Sequence, residues 1–504
     1  MSADEVILTI DQGTSQTKAL LVDRNGRVRA SAASKVPRTP TRPDWAEVDP
    51  FALLKSVEHA AAECFATSPK SVISAVAVTN QRESVVAWRR STGEPVGPCV
   101  LWQCRRTQEM CAELRREGKE PWIRERTGLG ISSMFSAAKA RWLLDHRDPA
   151  IAADDVLVGT VDSWLVWNLT GGRVHASDVS NASRTQLLNI RTLQWDDDLL
   201  DLFGVPRSAL PAILPSNALF GETAGRLGIP AGIPIAGVLG DSHASLFGQG
   251  GWGPGRVKVT YGTGSSILSV IEAARVSDPR LALTVAWGLG DAASYAIEAN
   301  ILVSGAVAEW LASLLSGETH GDAKVVFEMA SRGSRDHGVH VVPAFFGLGA
   351  PYWEDGARGL ITGLGWGTTA NDIARAAVDA IAHQVGDVLT VVEGEQGSPI
   401  SAIYADGGAA ANDDLMQFQA DLCGRPVIRS DLQDVSALGA AYVAGMSVGW
   451  WPSFEALERL ARPTRTFEPM MSEVQRDELR GQWERAVAQC LAGIQGKEQP
   501  HPGR

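Results

Sequence analysis

Short apolar runs separated by small polar residues dominate the first thirty positions of the chain. Residues 6–28 read VILTIDQGTSQTKALLVDRNGRV, in which two apolar runs flank the segment from Asp11 to Ser15. Apolar runs of this length, bounded by glycine and polar residues, are typical of β-strands joined by a tight turn. The pattern therefore predicts a β-hairpin with Gly13 at its tip.

Residues 257–271 repeat this pattern in the second half of the chain. The segment VKVTYGTGSSILSVI is again an apolar run, a turn of glycine and hydroxyl residues, and a second apolar run. Internal repetition indicates two related structural units. Two halves with facing hairpins would form a cleft that holds a polyphosphate from both sides.

Along the rest of the chain, segments that predict strands alternate with segments that predict helices. Residues 73–88 predict strand, turn and strand, residues 136–146 predict a helix, and residues 300–317 predict a buried helix. This alternation is typical of α/β proteins.

The length of the chain and one glycine cluster predict two domains. A chain of 504 residues is too long for a single core. The segment FGQGGWGPG, residues 247–255, contains five glycines and a proline, as expected of a connection between domains. We therefore expect an N-terminal domain at residues 1–250 and a C-terminal domain at residues 251–504.

Composition and charge narrow the class of protein. The net charge of −12 argues against a nucleic-acid partner, because nucleic-acid phosphates require a basic protein face. The acidic N-terminus MSADEVILTI does not resemble a signal peptide, and no apolar run reaches membrane-spanning length. The cysteines have neither disulfide-framework nor metal-ligand spacing, which predicts reduced thiols in a cytoplasmic protein. They are Cys64, Cys99, Cys104, Cys111, Cys423 and Cys490.

The tip of the first hairpin has the composition of a phosphate-binding loop. Glycine lets the backbone approach an anion, hydroxyl groups and Lys18 can donate to phosphate oxygens, and Asp11 could hold a hydrated Mg²⁺. The donors are Thr14, Ser15, Thr17 and Lys18. An ordinary hairpin with a polar tip is the alternative interpretation.

A third glycine cluster precedes a predicted helix. Residues 404–422, YADGGAAANDDLMQFQADL, join a short strand to a helix that begins near Asn412 or Asp413. Glycine at 407 and 408 would let the chain lie flat against a nucleoside, and Asn412 is placed to cap the helix. A simple strand-to-helix turn is the alternative.

Three further segments offer groups for chemistry. Asp241 follows an apolar run and precedes a predicted helix, where it could be a general base or only a helix cap. His243 is expected to be structural. Arg82 and Glu83 are adjacent at a strand end, and Trp102 could pack against a carbon skeleton; this set suits a neutral polyhydroxylated ligand.

Taken together, these segments resemble the FGGY carbohydrate kinase family, and within it the kinases of glycerol, from about residue 6 to about residue 465. The segments that carry the resemblance are DQGT (11–14), NQRE (80–83), WQCRR (102–106), GTVDSWLVWNLTGG (159–172), SNASRT (180–185), GD (240–241), YGTG (261–264), VVPAFFGLGAPYW (341–353), GLITGLGWGTTANDIARAAVDAIA (359–382) and DGGAAANDDLMQFQADL (406–422).

The resemblance implies two ribonuclease-H-like domains of the actin and hexokinase superfamily, which close on MgATP and a polyol. It implies that Asp241 is the base that accepts the proton of the attacking hydroxyl, and that Asp11 lies at the metal, with water between them. The residues that it assigns to the nucleotide are Thr14, Ser15, Gln16, Lys18, Thr263, Gly305, Glu309, Gly408 and Asn412. Those that it assigns to the polyol pocket are Arg82, Glu83, Trp102, Met134, Asp241, Ser242 and Ser266.

Several positions depart from the family pattern. Met134 replaces a tyrosine, Ser242 a glutamine and Ser266 an aromatic residue, and each change removes volume or hydrogen-bonding reach from the pocket. Lys18 replaces an arginine and Glu309 a glutamine, which affects nucleotide affinity. The glycine-rich effector segment of some members is absent, so regulation by a sugar bisphosphate is not expected.

The expected activity is ATP-dependent phosphorylation of glycerol or a related small polyol. A kinase of a larger polyol or ketose, such as erythritol, threitol, xylitol or xylulose, is the alternative within the class. A non-catalytic nucleotide sensor is the alternative outside it, although the carboxylate at position 241 argues against one. The sequence leaves the number of subunits, including a homo-oligomer, open.

Overall fold

The computed structural model describes residues 5–37, 42, 44–272, 275–319, 321–336, 338–432, 434–460 and 462–495. The first four residues, which entered the argument about targeting, lie outside these ranges. The strands in these ranges are β1 (Glu5–Gln12), β2 (Gln16–Asp23), β3 (Val28–Lys35), β4 (Glu47–Val48), β5 (Val72–Asn80), β6 (Val85–Arg89), β7 (Cys99–Val100), β8 (Val156–Thr160), β9 (Ala176–Asp178), β10 (Leu188–Asn189), β11 (Gln194–Trp195), β12 (Ala212–Leu214), β13 (Ile235–Gly240), β14 (Arg256–Tyr261), β15 (Ser265–Ile271), β16 (Ala282–Leu289), β17 (Ala292–Ile301), β18 (His340–Val342), β19 (Leu360–Thr362), β20 (Ala402–Asp406), β21 (Val427–Ser430) and β22 (Thr464–Phe467).

The α-helices alternate with these strands along the chain. They are α1 (Pro50–Thr67), α2 (Gln108–Arg116), α3 (Glu120–Thr127), α4 (Ser136–Asp145), α5 (Val161–Leu169), α6 (Val179–Ser183), α7 (Asp197–Phe203), α8 (Asp241–Gly248), α9 (Ala306–Ser316), α10 (Ala323–Ala330), α11 (Ala370–Gln396), α12 (Asp413–Cys423), α13 (Val435–Ser447), α14 (Phe454–Glu458) and α15 (Glu473–Gln495). None of them is both long and apolar enough to cross a membrane.

The two halves of the chain contain sheets with the same core arrangement. The first sheet has the order β13-β5-β1-β2-β3, and the second contains β21-β20-β14-β15-β17 in the corresponding places. In each sheet the hairpin strands pair antiparallel, and the two strands on the other side of the first hairpin strand run parallel to it. The duplication predicted from the two hairpin patterns is therefore confirmed in three dimensions.

Helix α13 connects the two halves. It follows the second sheet in the chain, yet it packs against β13, β5 and β1 of the first sheet and against α8. The packing is close because glycines face each other: a Cβ atom on Gly439 would lie 1.8 Å from the backbone oxygen of Ala244. The chain thus returns from the second half to the first, and the division at residue 250 stays a prediction.

Most predicted elements are present. Both hairpins form, residues 136–145 are helical, and Asn412 caps α12 by accepting a hydrogen bond from the backbone N–H of Leu415 at 2.8 Å. The buried helix predicted for residues 300–317 is partly wrong: the strand continues to Ile301, and α9 exposes Leu314 and Leu315.

The strand, turn and strand predicted for residues 73–88 are all present. The two strands, however, belong to different sheets. Strand β5 lies inside the first sheet, whereas β6 joins a separate four-stranded sheet with the order β4-β7-β6-β8. Glu83, in the turn, has a left-handed backbone with φ of 62°. The turn therefore places Arg82 and Glu83 at the junction of two sheets.

Candidate active site

Three charged side chains meet at one edge of the first sheet. Strands β1, β5 and β13 are parallel, and Gln12, Asn80 and Gly240 lie side by side at their carboxyl ends. The carboxyl edge of parallel strands is the usual place for a ligand in α/β proteins. Asp241 directly follows Gly240, Asp11 directly precedes Gln12, and Arg82 lies two residues after Asn80.

Asp241 is the first residue of α8 and is not its cap. The cap position is Gly240, and the carboxylate of Asp241 instead accepts a hydrogen bond from the backbone N–H of Ser242 at 2.6 Å. The Arg82 Nε atom lies 3.3 Å from Asp241 Oδ1. A Cβ atom on Gly240 would lie 2.6 Å from the Arg82 side chain, so glycine is required for this approach. Burial raises the pKa of Asp241, although Arg82 opposes the shift.

Asp11 is a half-buried carboxylate that faces Asp241. Burial and the charge of Asp241 raise the pKa of Asp11 to about 7, with Lys18 opposing and Asp434 adding to the shift. A carboxylate whose ionisation is disfavoured by burial and by a neighbouring carboxylate makes a place where a cation is stabilising. These carboxylates are hard oxygen donors that fit a largely hydrated Mg²⁺. No group of three or more His, Cys, Asp or Glu side chains in the described ranges has the arrangement of a direct metal site.

The tip of the first hairpin is held by contacts to distant parts of the chain. The backbone N–H of Gly13 donates to the carbonyl of Gln16 at 2.9 Å and closes the turn. Trp102 Nε1 donates to Thr14 Oγ1 at 3.0 Å. Ser15 and Gln16 are exposed on the same tip.

Lys18 has a carboxylate partner. Its Nζ atom donates to Asp434 Oδ1 at 2.6 Å, although the two residues lie 416 positions apart in the chain. Asp434 immediately precedes α13, so the helix that returns from the second half brings this carboxylate to the hairpin. Lys18 must leave or share this ion pair in order to contact a phosphate.

The second hairpin tip contacts the start of α9. The carbonyl of Thr263 accepts a hydrogen bond from the backbone N–H of Ser304 at 2.8 Å, and the N–H of Gly305 donates to the carbonyl of Gly262 at 2.9 Å. A Cβ atom on Gly305 would lie 2.7 Å from that carbonyl oxygen. Glycine at 305 therefore lets the tip and the helix N-terminus come together.

The third glycine cluster passes beside the second hairpin. Gly407 has φ of 94°, and a Cβ atom there would lie 2.5 Å from the Tyr261 carbonyl oxygen. A Cβ atom on Gly408 would meet nothing within 4 Å, so the backbone at this position faces open space. Gly407 is therefore the position that requires glycine, and Gly408 is the position open to a ligand.

Glu309 lies on the exposed side of α9 and lines a cavity of about 970 Å³ with Trp310 and Phe345. The cavity walls are mainly apolar. Within the described residues, no hydrogen bond joins Glu309, Gly408 or Asn412 directly to Asp241.

Arg82 and Glu83 do not pair with each other. The η-nitrogens of Arg82 donate to both carboxylate oxygens of Glu298 at 2.7 and 2.8 Å, and Arg184 Nε donates to Glu83 Oε1 at 2.6 Å. All four side chains are buried. The two neighbours in sequence therefore each have a distant, oppositely charged partner inside the protein.

Sequence reasoning missed Arg184 and Glu298 as members of the site. Arg184 is contained in the SNASRT segment but received no role, and Glu298 is a single acidic residue in an apolar strand. Lys258, also missed, is fully buried, and burial lowers its pKa. The only sequence signal for Glu298 and Lys258 was a charge inside a strand pattern.

Two of the three departures from the family pattern, Ser242 and Ser266, are in contact with each other. Ser266 Oγ donates to Ser242 Oγ at 3.4 Å. Met134 precedes α4, whose first residue, Ser136, donates from Oγ to the carbonyl of Glu83 at 3.1 Å. His243 is buried against Thr284, with 3.2 Å between Nε2 and Oγ1, and its pKa is lowered well below the ordinary value by burial, which supports a structural role.

Two family models match the chain. The N-terminal domain of the FGGY family of carbohydrate kinases matches residues 6–248, and the C-terminal domain of that family matches residues 257–448. "Glycerol kinase 2" of Thermotoga maritima is 43% identical over 96% of this chain and 98% of its own length. "Glycerol kinase" of Stenotrophomonas maltophilia is 44% identical over the same shares of the two chains.

Among solved structures, Plasmodium falciparum glycerol kinase with ADP superposes with a TM-score of 0.90 at 30% identity, covering 97% of this chain and 98% of its own. Xylulose kinase from Rhodospirillum rubrum superposes with a TM-score of 0.86 at 26% identity, covering 97% and 100%. Both similarities extend over the two halves of the chain.

Proposed function

Because the chain belongs to the FGGY family of carbohydrate kinases, we propose that it transfers the γ-phosphoryl group of ATP to a hydroxyl of glycerol or a related small polyol. The observation that carries this proposal is the position of Asp241, at the carboxyl edge of the first sheet beside Arg82 and opposite Asp11. The two relatives named glycerol kinase, at 43% and 44% identity, support the choice of substrate class.

Asp241 is the proposed general base. Its raised pKa makes the carboxylate a stronger proton acceptor than an exposed aspartate. It accepts the proton of the attacking hydroxyl, while Arg82 and Glu83 orient the polyol through their remaining hydrogen-bonding groups. Trp102 and Met134 flank the carbon skeleton, and Ser242 and Ser266 lie at its far end.

The nucleotide lies between the two hairpins in this proposal. Phosphoryl transfer depends mainly on positioning and on stabilising the charge of the migrating group. The first hairpin contributes Thr14, Ser15, Gln16 and Lys18, and the second contributes Thr263. The nucleoside lies against Gly305, Glu309, Gly408 and Asn412, where the open backbone of Gly408 allows close approach.

Asp11 would hold Mg²⁺ through water, with Asp241 as the second carboxylate that faces it. When bound, Mg²⁺ neutralises charge on the phosphate oxygens. Its presence would also relieve the repulsion that raises the pKa of Asp11.

A kinase of a four- or five-carbon polyol or ketose is the second candidate. The specific observation in its favour is the contact between the small side chains Ser242 and Ser266, where the family pattern has glutamine and an aromatic residue. A xylulose kinase shares the fold over the whole chain.

A screen of ATP consumption tests the function. Glycerol, erythritol, threitol, xylitol, ribitol and xylulose are each offered with MgATP, and Asp241→Asn is assayed on the best acceptor. A positioned general base contributes about 10²- to 10⁴-fold to the rate, so we expect a loss of that size with nucleotide binding retained. Asp155→Asn, a carboxylate bound to Arg89 outside the cleft, is the matched control.

The outcomes separate the alternatives. ATP binding without phosphorylation of any acceptor would favour a nucleotide-dependent sensor. Near-normal turnover of Asp241→Asn would overturn the assignment of the base.

We also infer that the protein works in the cytoplasm. All six cysteines are free thiols and five of them are buried, which suits a reducing compartment.

A further inference from the structure

A chain of buried charges links the two halves of the protein behind the polyol pocket. Glu298 lies in β17 of the second sheet and is fully buried. Arg82, from the first half, binds both of its carboxylate oxygens in a fork-to-fork geometry, the strongest arrangement for such a pair.

The same carboxylate also contacts a second arginine. Arg184 Nη1 lies 3.1 Å from Glu298 Oε2, and Arg184 Nε donates to Glu83 Oε1. Glu298 therefore touches one arginine that belongs to the proposed pocket and another that holds the Glu83 carboxylate of that pocket. Arg184 is itself fully buried.

Arg82 and Glu83 retain hydrogen-bonding groups that these contacts do not use and that a ligand could bind. A guanidinium has five N–H donors. In Arg82 two of them are bound to Glu298, which leaves one N–H on each η-nitrogen; the Nε atom lies 3.3 Å from Asp241 Oδ1 but makes no hydrogen bond to it. In Glu83, Oε1 is bound to Arg184, and Oε2 remains as an acceptor.

The electrostatic environment keeps Glu298 ionised. Burial alone would raise its pKa, but Arg184 and Arg82 outweigh that effect and hold the pKa far below the ordinary value. Removal of one member of such a buried group leaves an uncompensated charge, which is costly.

We propose that Glu298 is a positioning residue of the polyol pocket: it fixes the Arg82 fork, and through Arg184 the Glu83 carboxylate, so that two N–H donors and one carboxylate oxygen face the substrate hydroxyls. This inference rests on the proposed polyol kinase function. The alternative is that Glu298 only stabilises the contact between the two halves.

The test compares Glu298→Gln with the wild type on glycerol, propane-1,2-diol and propane-1,3-diol at saturating MgATP. A site that is built to bind a hydroxyl rejects analogues that lack it, and this rejection requires fixed partners. We expect the KM for glycerol to rise at least tenfold, the KM for ATP to change less than twofold, and the preference for glycerol over the diols to fall at least fivefold.

Asp387→Asn is the matched control. Asp387 is a buried carboxylate in the second half that binds Arg480, Trp483 and Tyr352, away from the cleft. The Asp387→Asn substitution should lower thermal stability without any change in preference among the three acceptors. If Glu298→Gln behaves in the same way as Asp387→Asn, the positioning role is overturned.

Glu298→Asp keeps the test decisive if the glutamine variant does not fold. It retains the charge but shortens the reach by one methylene, so the proposal expects a raised KM for glycerol with an unchanged KM for ATP. Wild-type kinetics in this variant would also overturn the role. Absence of phosphorylation by the wild type itself would be a failure of the proposed function and not of the Glu298 assignment.

Discussion

Trp102 donates a hydrogen bond from its indole Nε1 to the hydroxyl of Thr14 at 3.0 Å, across 88 positions of the chain. One member belongs to the proposed polyol pocket and the other to the tip of the first hairpin. The indole therefore does more than offer a flat face, because it joins the proposed polyol side of the site to the proposed phosphate side.

This bond predicts coupling between the two sides. Trp102→Phe keeps an aromatic ring but removes the donor, and Thr14→Val removes the acceptor. A hydrogen bond of this kind is worth about 1 kcal/mol net, or about fivefold in kcat/KM. A double-mutant cycle measured in kcat/KM should show a coupling of that size. Strictly additive effects of the two substitutions would mean that the contact carries no catalytic coupling.

The Lys18–Asp434 pair predicts that substitutions of its two members change the KM for ATP in opposite directions. Lys18→Ala removes a cation from the hairpin and should raise the KM for ATP about tenfold with little effect on the polyol. Asp434→Asn removes the competing carboxylate and should lower the KM for ATP severalfold. Steady-state kinetics with each substrate varied in turn provide the measurement.

Arg29→Ala, a cation on the neighbouring strand β3 that pairs with Asp23, is the control for net charge. If Lys18→Ala impaired polyol use and spared ATP, the first hairpin would not be a phosphate loop.

The three departures from the family pattern predict the size preference of the pocket. Met134, Ser242 and Ser266 replace larger or longer side chains, and one methylene-sized misfit is worth roughly 1–3 kcal/mol in discrimination. A four- or five-carbon polyol should therefore be phosphorylated with a kcat/KM at least equal to that for glycerol. The combined variant Met134→Tyr, Ser242→Gln, Ser266→Phe should shift the preference toward glycerol. A strong wild-type preference for glycerol, or no shift in the variant, would show that these positions do not set the size.

Lys139 predicts a measurable dependence of stability on pH. It is fully buried beside the proposed pocket and donates from Nζ to the carbonyl of Met134, and burial lowers its pKa to about 8 from the ordinary 10.5. Between these two pH values the unfolded state binds more protons at this residue than the folded state. The lysine's contribution to the free energy of unfolding therefore rises as pH increases from about 8 to 10.5, by about 1.4 kcal/mol per unit.

Lys139→Met lacks this titration. Urea unfolding of both proteins at intervals from pH 7 to pH 10 should show the wild type gaining stability relative to the variant above pH 8. A difference that stays constant with pH would show that folding does not lower the pKa of Lys139.

Most of the predicted local elements of this protein follow from the sequence alone, although the helix predicted for residues 300–317 begins only at Ala306. Short apolar runs, glycine-containing turns and helix caps are patterns of a few neighbouring residues, and for this reason both hairpins and the Asn412 cap could be predicted. The internal repetition of the hairpin pattern was enough to indicate two related halves, and the motif residues were enough to indicate the kinase family. Asp241 could be placed at the start of a helix, but whether it caps that helix or faces a cleft is not a local property.

The partners of the charged residues were decided by the tertiary structure. Arg82 binds Glu298, which is 216 positions away, and Lys18 binds Asp434 only because α13 returns to the first sheet. A single glutamate in a strand looks solvent-exposed when its neighbours in space are unknown. The sequence determines which residues carry charge, but the energy of an ion pair depends on distance and burial, and in this protein both are set by how the two halves pack together.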